Sequence, residues 1–165
     1  MKYLINIISL LSCLLSACCR EVHSDNQEVL KKRIDSLEKK LADTYKPGFG
    51  EFMSSVQVHH AKLWFAGENK NWKLADFEVH EIMEALENIK KYQTERKESQ
   101  LVNILNSPLD SINNAIQKQN SEFFKNSFTL LTNTCNNCHK ETNFKFNIVK
   151  IPDTAPFSNQ VFKSE

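Results

Sequence analysis

A chain of 165 residues with 21 basic and 20 acidic side chains lacks the charge excess that would hold a nucleic-acid backbone. Three glycines and five cysteines suit long helices with few tight turns and exclude a disulfide-dense small fold. After the first residues, no apolar stretch is long enough to cross a bilayer.

Met1 to Ala17 reads as a lipoprotein signal peptide. Lys2 supplies a positive end, and Leu4 to Leu15 is an apolar run too short and too early for an ordinary spanning helix. The segment Leu15-Ser16-Ala17-Cys18 resembles a bacterial lipobox, in which the cysteine becomes the new N-terminus and carries the lipid. Cys19 fits that pattern less well, because Ser16 would then take the aliphatic position. An ordinary secretory signal with incidental cysteines is the other reading. The expectation is a chain tied to the bacterial cell envelope through lipid on Cys18, facing the periplasm. Cleavage after residue 17 removes one base, Lys2, leaving 20 charges of each sign.

Residues 18–50 form the expected tether. Arg20 to Gln27 is a polar leash. From Glu28 to Tyr45 the apolar positions Leu30, Ile34, Leu37 and Leu41 are spaced four, three and four apart, a helix with a narrow heptad seam. Two heptads do not define a coiled coil. A spacer helix lying on the domain is the expectation, and pairing into a homodimer the alternative. Lys46-Pro47-Gly48-Phe49-Gly50 breaks the helix.

Residues 51–165 read as one domain with four helical segments. The first runs from Glu51 to Ala66, with Phe52, Met53, Val56, His60, Leu63 and Trp64 inward, and the turn is set at Gly67 to Asn71. The second runs from Trp72 to Glu98, with Ala75, Val79, Ile82, Met83, Leu86 and Ile89 inward at three- and four-residue steps. Leu101 to Ser107 reads as a connection. Ser107 and Pro108 look like the cap and first position of the third helix, which carries Leu109, Ile112 and Ile116 inward and ends near Gln119. Ser121 looks like the cap of the fourth, whose buried stripe is Phe124, Phe128, Leu131, Cys135 and Cys138. Phe144 to Phe162 has Pro152 and Pro156 and no helical period; it is too apolar for a disordered tail and is expected to lie extended on the helices. The fold expected is all-α: an antiparallel four-helix bundle with an N-terminal spacer helix and an extended C-terminal tail.

The run Cys135-Asn136-Asn137-Cys138-His139 is the C-x-x-C-H signature of c-type haem attachment. Two thiols at that spacing add to the two vinyl groups of haem, and the next residue's imidazole becomes the proximal iron ligand. Zinc would need two more ligands at a closed site. A redox-active disulfide would usually sit beside a strand–helix unit, and none is legible here.

With that motif at the end of the last helix, Glu51 to Thr142 resembles the cytochrome c-prime family and its methionine-ligated class II relatives. The stretch Gln57-Val58-His59-His60-Ala61-Lys62-Leu63-Trp64-Phe65-Ala66-Gly67 is similar to one in exported bacterial proteins that bear the same haem motif. The tail and the helix before Pro47 depart from the compact c-prime pattern. The resemblance implies one covalent haem c on Cys135, Cys138 and His139. It also implies a distal ligand near the start of the first helix, where Met53 stands; a core-filling side chain is the other reading of Met53. His60 is the alternative ligand, on the same face but roughly 10 Å further along the axis. His80 reads as an interface histidine, and His59 as exposed or at a helix seam. The function expected is single-electron transfer to an unidentified redox protein, by a carrier rather than a catalyst; a five-coordinate haem that binds NO or CO is the alternative.

Overall fold

The computed structural model describes residues 26–41, 44 and 47–163. The signal region and the expected lipid site at Cys18 lie outside the described residues, as do Cys13 and Cys19. The chain divides into two units, Met1–Tyr45 and Lys46–Glu165. Among the described residues all regular structure is helical, and none of these helices is long and apolar enough to cross a membrane.

In the first unit, helix α1 spans residues 26–41, and every one of its side chains is exposed. Lys32 pairs with Glu28 one turn back, 2.8 Å away.

The second unit contains α2 (Phe49–Glu68), α3 (Trp72–Tyr92), α4 (Lys97–Leu101), a 3-10 turn (Val102–Leu105), α5 (Asn106–Gln117) and α6 (Ser121–Glu141). Helix α2 packs on α3, α3 on α5, α5 on α6 and α6 on α2. The core lies between them, built from Leu63, Val79, Ile82, Ile89, Leu109, Ile112, Phe124 and Phe128. Between α2 and α6 the contacts run in opposite chain directions. Gly67 lies against Phe124, Trp64 against Phe124 and Phe128, and His60 against Phe128 and Thr132.

Three of these helices end in the same way. Lys70, Gln119 and Asn143 adopt φ of 56°, 52° and 66°, the left-handed turn that usually takes glycine. At each, two backbone N–H groups reach back to free carbonyls of the last turn. Lys70 and Asn71 bond Gly67 and Ala66, Gln119 and Asn120 bond Ile116 and Ala115, and Asn143 and Phe144 bond Lys140 and His139. In the first two cases the chain re-enters a helix at once. Asn71 and Asn120 cap α3 and α6 by accepting from the N–H of Leu74 and Phe123.

Several details depart from the sequence expectation. Helix α3 stops at Tyr92 rather than Glu98, with the Gln93 amide donating to the Pro47 carbonyl. The expected connection Leu101 to Ser107 is helical instead, because Val102 and Leu105, three residues apart, are both buried. Asn120, not Ser121, caps the last helix. Gly67 lies inside α2 rather than opening the turn. His80 faces out, its Nδ1 bonding the Asp76 carbonyl of its own helix, with the Asp76 carboxylate 3.8 Å away. The tail is held at intervals: Ile151 packs on the core and Phe162 is buried against Phe65, while Phe146 and Ile148 stay exposed.

Candidate functional site

The last two turns of α6 carry the motif. Cys135, Cys138 and His139 project within an arc of about 100° on one side of the helix. The stripe that begins with Phe124, Phe128 and Leu131 continues into Cys135, which packs on the core. Both thiols are free and half-buried. Burial, and after it the neighbouring Cys138, pushes the Cys135 thiol up to about 12. Burial, and then the Glu98 carboxylate, raises Cys138 as well. The pair is therefore protonated at neutral pH, opposite to the lowered thiol of a disulfide-exchange centre. No cluster of three metal-binding side chains occurs among the described residues.

His139 is oriented by the turn that follows it. The Phe144 N–H bonds the His139 carbonyl at 2.7 Å, and the Asn147 N–H bonds the Phe144 carbonyl at 2.8 Å. That turn brings the Asn147 carbonyl to 2.6 Å from His139 Nδ1. A carbonyl only accepts, so Nδ1 carries a proton, and in the neutral ring the lone pair is then on Nε2. Asn136 holds the same segment from the helix. Its amide donates to the Val149 carbonyl and its oxygen accepts from the Val149 N–H, both at 2.8 Å. Beside His139 is an open depression of about 260 Å³, bordered by Asn136, Lys140, Lys145 and Ile148.

Two thiols on one helix face and an adjacent imidazole with a bare Nε2 are the donor set that covalent haem requires. A carbonyl on the far ring nitrogen is also the usual outer support of an iron-bound histidine. The residues fit the group.

The two distal candidates differ in their surroundings. Met53 is half-buried against the core, and its thioether is a soft, polarizable ligand. His60 is buried, stacks on Phe128 with ring centroids 4.4 Å apart, and places Nε2 3.0 Å from Thr132 Oγ1. The Thr132 hydroxyl donates to the Phe128 carbonyl, so it accepts from His60 Nε2–H. Burial lowers the His60 imidazole to about 4, so the ring is neutral.

One polar cluster was missed from sequence. Glu78, fully buried, has Oε2 2.6 Å from His59 Nδ1 and Oε1 2.7 Å from Lys62 Nζ. The Lys62 contact is an ion pair without the directionality of a hydrogen bond. The only sequence signal is the pair of basic residue types His59 and Lys62, three residues apart beside the apolar stripe.

No known protein family, curated protein or solved structure matches the chain.

Proposed function

We propose that this chain is a monohaem c-type cytochrome, an antiparallel four-helix bundle that carries single electrons at a bacterial envelope. The observation that carries the reading is the hydrogen bond from His139 Nδ1 to the Asn147 carbonyl, beside two free thiols at C-x-x-C spacing. Cys135 and Cys138 would hold haem c through thioethers, with His139 Nε2 as proximal ligand. When bound, the group supplies a one-electron iron couple. The chain's own residues exclude water, through the core stripe beneath Cys135, and fix the imidazole, through Asn147.

Met53 is the distal ligand in this reading. Met53 precedes His60 by seven residues on α2, and His139 follows Thr132 by seven on α6. If the register of the His60–Thr132 contact continues for two turns, Met53 would lie level with His139. His60 Nε2 is already committed to Thr132, which favours Met53 over His60. Methionine ligation raises the reduction potential and suits a carrier. The lipid on Cys18 would keep it at the membrane surface.

The test is expression with haem-maturation machinery, followed by mass and optical spectra. One covalent haem is expected, lost in Cys135→Ala/Cys138→Ala. Met53→Ala should remove the long-wavelength sulfur-to-iron band of the oxidised protein, and His60→Gln should leave it. A colourless product from a competent host overturns the reading. A five-coordinate ferrous spectrum in wild type that shifts on adding NO would replace the carrier with a gas binder.

A further inference from the structure

Helix α1 presents an apolar seam to solvent. Leu30, Ile34, Leu37 and Leu41 are 58%, 46%, 63% and 71% exposed. Their four-three-four spacing makes Leu30 and Leu37 d positions, and Ile34 and Leu41 a positions. We propose that α1 pairs with α1 of a second copy of this chain, as a parallel, in-register two-stranded coiled coil.

Two observations choose this occupant. The first is core composition. Both d positions are leucine (Leu30, Leu37) and one of the two a positions is β-branched (Ile34, with Leu41 the other), and β-branched a with leucine d favours a parallel dimer. The second is charge at the seam's edges. Arg33 falls at g and Glu38 at e of the following heptad, so each Arg33 faces Glu38 of the other helix, twice by symmetry. Neither residue has an opposite charge three or four positions away on its own helix, so both are left for an interhelical pair. The antiparallel arrangement sets Arg33 against Lys40 on the g–g edge and Lys31 with Glu38 on the e–e edge, so its charges cancel, whereas the parallel pair gains two attractions with no repulsion at these positions. A shared membrane anchor, as in the function proposed above, would orient both copies the same way and raise their effective concentration. The pairing itself needs neither haem nor lipid.

The test is sedimentation equilibrium of the whole chain in density-matched detergent, over a range of concentrations. Wild type is expected to form a reversible dimer and Leu37→Lys to remain monomeric. Arg33→Glu should dimerise about tenfold more weakly, and Arg33→Glu with Glu38→Arg should recover wild-type strength. Both charge substitutions leave the seam intact, so they report on pairing rather than on folding. A monomer at every concentration overturns the proposal, as does a trimer mass or a dimer indifferent to Leu37→Lys. So does an Arg33→Glu variant that dimerises more tightly, which is the signature of the antiparallel pair. Haem content is read separately, so failure here and failure of the cytochrome reading are distinct.

Discussion

The ring of Phe124 lies directly on the α-carbon of Gly67. A β-carbon at Gly67 would overlap Cε1, Cζ and Cδ1 of that ring. Both residues are buried, and Trp64, Trp72 and Phe128 close around the ring. Glycine here permits α2 and α6 to approach. Gly67→Ala gains about 1 kcal/mol of helix propensity but must displace a ring packed on all sides, which costs more. The expected net loss is about 1–2 kcal/mol in urea unfolding. Adding Phe124→Leu should reduce the penalty of the alanine, since the smaller side chain can retreat. Equal penalties in both backgrounds would show that the ring is not the obstacle.

Glu78 gives the second prediction. A carboxylate removed from water is sustained only by its partners, here Lys62 and His59, each side chain 15% exposed. Glu78→Gln leaves Lys62 uncompensated at the α2–α3 seam and should cost about 2–3 kcal/mol, below the range for fully buried pairs because Lys62 reaches solvent. Glu78→Leu with Lys62→Met removes both charges and should lie close to wild type. A double variant as unstable as Glu78→Gln would mean that packing, not charge, matters there.

These two sites show what a sequence can and cannot disclose. The inward face of α3 is legible because Ala75, Val79, Ile82, Leu86 and Ile89 repeat with the helix, and all five are buried. The C-x-x-C-H run is legible because its spacing is local chemistry. Glu78 is not, because a carboxylate ordinarily marks a wet face and its partners come from another helix. Gly67 reads as a turn because its reason to exist, Phe124, is 57 residues away. The Asn147 carbonyl that orients His139 is a backbone atom of an irregular tail, to which residue identity gives no clue. The end of α3 fails for a similar reason, since Glu95 to Glu98 is good helical sequence and the contacts that accompany the break, Gln93 to Pro47 and Arg96 over the Phe49 ring, are long-range.

Burial of His60 predicts an acid-sensitive fold. Its folded pKa is lowered from 6.5 to about 4, so the unfolded chain takes up the proton first. Protonation therefore favours unfolding. The contribution is complete above pH 6.5, fades as pH falls toward 4, and changes no further below that. The shift corresponds to about 3 kcal/mol. Urea unfolding at pH 7 and pH 4 should show that much more loss in wild type than in His60→Gln, which has nothing to titrate. Parallel pH profiles would place the sensitivity elsewhere.

The clasp between Asn136 and Val149 should control His139. Asn136 is the only described side chain on α6 that bonds this segment through both donor and acceptor. Asn136→Ala leaves the Val149 amide without its partner and frees the turn that presents the Asn147 carbonyl. Amide exchange at Val149 should accelerate about tenfold or more, in line with loss of one to two kcal/mol of local hydrogen bonding, roughly one unit per bond. The imidazole is the more telling readout. In wild-type protein without haem, nitrogen-15 shifts should show His139 protonated at Nδ1. In Asn136→Ala the two tautomers should mix, because the acceptor that selects Nδ1–H is no longer held. A variant with fast Val149 exchange but an unchanged tautomer would mean that the helix-end turn through Asn143 and Phe144 holds the Asn147 carbonyl in place without Asn136.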